Sequence, residues 1–196
     1  RLGTQSVATH LGRSYDEVAA ALSGPLGRSY RCGRISKDAF WQAVQCALCL
    51  TFDAAQASRL WHDGYQVRAP MLRLVRHLRD RGTRVVYLSD NIEERTQYLD
   101  EKFDYLREFD GGVFSFDFDS VKPHRILYEA ALELCAVPAA ACVYADDKIE
   151  LLQTPTELGI QAIHFTNVQS FLANLVDIKL IPEDFHAVDD GPTRTT

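Results

Sequence analysis

The sequence predicts an α/β protein, a doubly wound (Rossmann-like) parallel sheet core that carries an all-helical cap. Three observations point to it. From Met71 onward, short apolar runs bounded by glycine, proline or charge alternate with amphipathic helical stretches, the order that builds a parallel sheet with helices on both faces. From about Ser14 to Arg68 apolar residues recur at helical spacing without strand-like alternation. A chain of 196 residues, 46% hydrophobic and 24% charged, can bury a core together with a sizeable insertion. The expected division is a helical cap over 1–68, a Rossmann-like core over 69–178 and a C-terminal tail over 179–196.

The elements follow in order. Tyr15-Asp16-Glu17-Val18 leads an alanine-rich helix, Ser36 is an N-cap for a helix ending at Leu48, and a further helix runs from Phe52 to Tyr65. Trp41 and Trp61 mark the apolar faces. An amphipathic helix from Met71 to Arg81 is closed by Gly82, and Arg84–Leu88 is a short apolar strand. The alternation continues with a helix over Ile92–Tyr105, a strand at Gly112–Phe116 and a helix over Pro123–Leu134. A strand at Ala141–Ala145, a helix to Leu158, a strand at Gln161–Phe165 and a last helix from Asn167 through Leu175 complete it. The tail contains Pro182, Gly191 and Pro192, and its final residues are expected to be loose. Ligands of such sheets gather at the carboxyl ends of the strands, which places Ser89, Lys122 and Asp146 at or near one rim.

Composition narrows the classes of function. The net charge of −6 is spread along the chain, which disfavours nucleic acid and anionic membranes as partners. No apolar run is long enough to span a bilayer. The five cysteines, Cys32, Cys46, Cys49, Cys135 and Cys142, are odd in number and mostly in apolar surroundings, which suggests a reducing, cytoplasmic setting. Cys46-Ala-Leu-Cys49 has redox-motif spacing but lies within a helical pattern, where a redox role is not expected. The histidines lack metal-ligand spacing. Oligomeric state leaves no signature in the pattern.

The chemistry concentrates where strands end. In "VYADDKIE", Asp146 and Asp147 stand side by side after an apolar run, and adjacent carboxylates raise each other's pKa unless a cation lies between them. Ser89 after "RVVYL" adds a hydrogen-bond donor, and Lys122 in "SVKPHRILY" adds a cation. A donor, a cation and paired carboxylates can bind a phosphoryl group together with a hard divalent ion. Magnesium, bound by one or two carboxylates with waters and substrate phosphate, suits this set. The bland alternatives are a capping serine, a solvated turn lysine and aspartates that open a helix.

With "YLSDN", "FDGGVFSFDFDSVKPHRILYEAALE" and "CVYADDKIELLQTPTELGIQAIHF" in this order, the chain from about Ser14 to Thr166 resembles the haloacid dehalogenase (HAD) superfamily of hydrolases, most of which are phosphatases. The resemblance implies that Ser89, with Asp90 and Asn91 beside it, binds the transferring phosphoryl group. It implies that Lys122 restrains the charge of nucleophile and phosphate, and that Asp146 and Asp147 hold Mg2+. The residues before about Arg68 would be the cap that selects substrates, with Arg13, Arg28, Tyr30, Arg34 and His62 as candidates to face the cleft. The expected reaction is Mg-dependent hydrolysis of a small phosphorylated metabolite.

The resemblance also implies a first motif, an apolar strand ending in Asp-x-Asp that supplies the nucleophile, and no such strand precedes the cap. A covalent route needs that carboxylate. Three readings follow: the motif lies upstream of Arg1, which the non-Met start favours; the chain is a catalytically inactive binding or regulatory member; or the site is rearranged. For the last, Val113–Asp119 reads like the missing motif and offers Asp117 as nucleophile, although its position before Lys122-Pro123 matches a different element. A 2-haloacid dehalogenase, which would share Lys122 and Tyr128, is a further alternative that the Asp146-Asp147 pair disfavours. Two departures stand out. Asp90 takes a position commonly held by asparagine, placing charge near the phosphate that disfavours a dianionic ligand unless metal or Lys148 offsets it, and Leu151 stands where relatives often carry asparagine.

Overall fold

The computed structural model describes residues 2–185. Along the chain lie helices α1 (Leu2–Leu11), α2 (Tyr15–Leu22), α3 (Gly24–Arg31), α4 (Lys37–Leu48), α5 (Ala54–Asp63) and α6 (Ala69–Asp80). Strand β1 (Tyr87–Ser89), α7 (Glu93–Phe103), β2 (Gly112–Phe114) and α8 (Arg125–Cys135) come next. They are followed by β3 (Val143–Asp146), α9 (Gln153–Glu157), β4 (Gln161–His164) and α10 (Val168–Asp177). The fold is α/β with mostly helical content.

The four strands fall where the apolar runs place them, but each is short. They pair two by two, β1 with β2 and β3 with β4. The second pair is parallel, with Val143 opposite Gln161 and Asp146 opposite His164. Part of the shortening has a local cause. The Val85 N–H donates to Oδ2 of Asp110 at 2.9 Å and its carbonyl accepts from the Asp110 N–H at 2.8 Å. Val85 is thus tied to a turn and not to a ladder, and β1 begins at Tyr87.

The chain divides into two compact units. Among the described residues the first comprises 2–66, 88–105 and 113–122, and the second comprises 67–87, 106–112 and 123–185. The expected helical cap ends near residue 68. The stretches 88–105 and 113–122, however, cluster with the helical residues that precede it.

Local signals account for the helices of the first unit. Ser14 accepts from Glu17 N and Glu17 reaches back to Ser14 N, a reciprocal cap that starts α2. Ser36 caps α4 through Ala39 N, and Asp53 caps α5 through Ala55 and Gln56 N. Their apolar faces meet in a core of Val7, Val18, Leu22, Phe40, Trp41 and Val44. The Phe40 ring stacks on Tyr30 at 4.4 Å and on Trp61 at 5.7 Å. Burying one such ring contributes up to about 3 kcal/mol.

In the second unit, Leu74 and Leu78, one turn apart on α6, pack with Ile163, Phe171, Leu175 and Ile181. Asn167 caps α10 through Ser170 N. Ile181 is buried and the Phe185 ring lies 4.6 Å from His77, so the first residues of the tail belong to this core. The expectation of a loose C-terminus falls on residues outside those described.

Candidate functional site

In the first unit, three loops are tied into one body. Ser89, the last residue of β1, and the two residues after it are half-buried. The Lys122 backbone N–H donates to Asp90 Oδ1 at 2.9 Å, and the Lys122 ammonium lies 3.5 Å from the Leu88 carbonyl. The structure therefore brings Ser89, Asp90, Asn91 and Lys122 into one neighbourhood. The Asp90 carboxylate faces the N–H of Lys122. Ser115, fully buried, completes the clamp: its hydroxyl accepts from Asn91 N at 3.2 Å and lies 2.7 Å from the Arg31 carbonyl. Arg34 pairs with Asp119 on the same loop. Asp117, at the end of a 3-10 turn over Ser115–Asp117, is exposed.

In the second unit, β3 ends at Asp146 and delivers the acidic pair. Asp146 is half-buried, with Oδ2 accepting from the Tyr144 hydroxyl at 2.7 Å and Oδ1 from Lys148 N at 3.0 Å. Burial and the neighbouring Asp146 carboxylate push the Tyr144 phenol far above its ordinary value, so it remains a donor. Asp147 is exposed, and its carbonyl lies 3.2 Å from His164 Nε2. Among the described residues, no group of three or more His, Cys, Asp or Glu side chains is gathered to hold a metal. Two adjacent carboxylates are what the chain offers, and hard oxygens in that number suit Mg2+, which takes its other ligands from water and phosphate. Leu151 is buried, and its carbonyl accepts from the hydroxyl of the buried Tyr128 at 3.1 Å.

Sequence reasoning missed a buried polar centre in the first unit. Glu94 on α7, 8% exposed, accepts from Tyr30 OH at 3.0 Å, Trp41 Nε1 at 3.3 Å, the Ser58 hydroxyl and Lys37 Nζ at 2.8 Å. Burial alone would raise its carboxyl, but the His62 ring beside it and the hydrogen bonds from Lys37 and Ser58 outweigh burial and hold it well below the usual carboxylate range. The only advance signal was the acidic couplet Glu93-Glu94, which also reads as ordinary first-turn charge of a helix. The cap candidates scatter: Tyr30 and His62 are buried, Arg13 donates to the Leu48 carbonyl at 3.1 Å, Arg34 pairs with Asp119, and Arg28 is exposed.

Along the chain, a hydroxyl ends β1, a lysine precedes α8 and an acidic pair closes β3. Residues 8–153 match the haloacid dehalogenase-like hydrolase family, and the chain belongs to it. Solved structures agree on the fold. A HAD family enzyme of Bacteroides thetaiotaomicron, in complex with magnesium and inorganic phosphate, superposes with a TM-score of 0.75 at 16% identity over 88% of this chain and 90% of that one. A HAD-like family hydrolase of Porphyromonas gingivalis gives 0.71 at 15% identity over 90% and 88%. An uncharacterized protein of Dictyostelium discoideum is 27% identical over 109 residues, 54% of this chain and 47% of that relative, so the match spans about half of its length.

Proposed function

We propose that the protein is a Mg-dependent phosphatase acting on a small phosphorylated metabolite in the cytoplasm. Its frame would be a doubly wound core, with the helical residues before 68 as cap. The observation that carries the reading is the tie between Lys122 and the Ser89–Asn91 loop, through Asp90 Oδ1 at 2.9 Å and the Leu88 carbonyl at 3.5 Å. It sets a fixed cation beside hydrogen-bond donors, the pairing that binds phosphate oxygens. Ser89 and the Asn91 carboxamide donate to the phosphoryl group, and Lys122 offsets its charge. Asp146 and Asp147 hold Mg2+, which neutralises phosphate charge when bound.

One observation favours a second reading, a family member that binds without turnover. The Asp-x-Asp that follows an apolar run falls at Asp117 and Asp119, where Asp117 is exposed on a 3-10 turn and Asp119 is paired with Arg34. Dehalogenation is disfavoured because the Tyr128 hydroxyl is committed to the Leu151 carbonyl. The test is release of phosphate from a panel of phosphomonoesters with and without Mg2+. Turnover that is lost in Lys122→Ala and Asp146→Asn supports the phosphatase. Phosphate binding without turnover supports the silent binder, and neither binding nor turnover overturns both.

A further inference from the structure

A chain of contacts runs from the buried Glu94 centre to the loop after β1, all within the first unit. Arg95 Nε donates to His62 Nδ1 at 3.3 Å. A guanidinium carries no acceptor, so His62 Nδ1 is bare and the ring is the neutral Nε2–H tautomer. Burial, with the Arg95 charge beside it, lowers the His62 pKa in the same sense. His62 Nε2 is buried without a hydrogen-bond partner and points to Glu94 Oε2 at 3.7 Å, an ion-pair distance outside hydrogen-bond reach. The ring thus holds Arg95 on one side and looks to the carboxylate on the other.

Arg95 is fixed by its faces as well. Its guanidinium lies 4.5 Å from the Trp61 ring and 4.9 Å from the Tyr65 ring. Held this way, Arg95 Nη1 donates to Asn91 Oδ1 at 3.4 Å, and Ile92 N donates to the same oxygen at 3.0 Å. Both contacts are donors, so the oxygen of the Asn91 carboxamide is the atom turned toward α7. The NH2 group is left on the opposite side.

Resting on the phosphate-binding reading of the Ser89–Asn91 loop, we infer that Arg95 is a positioning residue that locks the Asn91 carboxamide with its NH2 presented to the ligand. A freely flipping carboxamide would present its oxygen part of the time, and a carbonyl oxygen facing a phosphate oxygen repels it. Arg95, together with the Ile92 N–H, removes that state before the ligand arrives, a form of preorganisation. Neither Arg95 nor His62 touches the ligand in this scheme.

The test is calorimetry with inorganic phosphate and Mg2+ on the whole chain, paired with the side-chain 15N–1H resonances of Asn91, identified by their loss in Asn91→Asp. Arg95→Met keeps the stem between the rings and removes the donors. It is expected to weaken phosphate binding about tenfold, the worth of one such hydrogen bond, and to shift or broaden the Asn91 pair. Arg95→Lys, which keeps charge and donors, recovers part of both and covers the case in which the methionine variant does not fold. A folded variant without the guanidinium that retains wild-type phosphate affinity and an unmoved Asn91 pair overturns the assignment. If the wild-type chain binds no phosphate, the phosphate reading of the loop fails, and the Asn91 resonances alone decide whether Arg95 sets the carboxamide.

Discussion

Lys122 and Asp90, 32 residues apart, meet where the Lys122 backbone N–H donates to the Asp90 carboxylate at 2.9 Å. Charge at residue 90 would repel a phosphate if it faced the ligand. Donated to by the main chain, it instead fixes the loop that bears the lysine. Asp90→Asn keeps an acceptor oxygen and is expected to bind inorganic phosphate within about threefold of wild type, whereas Asp90→Ala loses roughly tenfold. Titration calorimetry of the two variants checks this. Equal losses in both would show that the carboxylate charge matters and the hydrogen bond does not.

Glu94 is expected to be the most sensitive polar position of the first unit. Tyr30, Trp41 and Ser58 all donate to it from buried places, so Glu94→Ala leaves three donors unsatisfied at about 1 kcal/mol each or more. A loss of about 3 kcal/mol in urea unfolding, followed by tryptophan fluorescence, is the expected result. Glu94→Gln keeps one acceptor oxygen and should fall between alanine and wild type.

Acid should destabilise the same centre in two stages. The His62 pKa is lowered from 6.5, so as pH falls through 6.5 the unfolded chain takes up a proton that the folded one refuses, and stability falls until the folded value is reached. The Glu94 pKa is lowered from 4.5, so its contribution is complete above 4.5 and is lost as pH falls further toward the folded value. Thermal melts of His62→Gln should therefore depend less steeply on pH between 7 and 5 than wild type. Parallel curves for the two proteins would place the histidine effect elsewhere.

How far this could be read in advance depends on the kind of interaction. The strands were legible because Val143–Asp146 and Gln161–His164 are brief apolar runs between turn residues. Helix α1 was not, because "LGTQSVATHL" has weak propensity and no prominent apolar stripe. Packing explains it, since a side chain at Gly3 would overlap the Trp61 carbonyl, and only glycine allows α1 to approach α5 so closely. The neighbourhood of the Ser89–Asn91 loop and Lys122 was legible in the order of their motifs along the chain. The Glu94 centre was not, because its partners come from α3, α4 and α5, and no spacing in the sequence records that meeting.

Gly33 gives a sharper test of the clamp around the lysine loop. Its φ is +73°, and a Cβ added there would sit 2.5 Å from the Phe116 carbonyl oxygen. Left-handed backbone costs a side chain roughly 1–2 kcal/mol, and the overlap pushes on the turn that carries Ser115. Gly33→Ala is expected to lower stability by about 2 kcal/mol or more and to weaken phosphate binding. Gly12, also at positive φ but with open space around it, supplies the control: Gly12→Ala should lose stability through backbone strain alone and leave phosphate binding unchanged.

Tyr144 orients Asp146, the carboxylate proposed to hold Mg2+. Its hydroxyl donates to Oδ2 at 2.7 Å while Lys148 N donates to Oδ1 at 3.0 Å, so the carboxylate is held at both oxygens and keeps its remaining lone pairs in a set direction. Partners of this kind typically account for about 10–100-fold in metal affinity. Tyr144→Phe keeps the ring that lies edge-on to Tyr128 at 5.4 Å, so the packing survives while the donor is lost. Mg2+ titration should show weakening of at least about tenfold relative to wild type. Weakening in Asp146→Asn with none in Tyr144→Phe would mean that the carboxylate binds the ion without the tyrosine's support, and no change in either would remove Asp146 from the metal site.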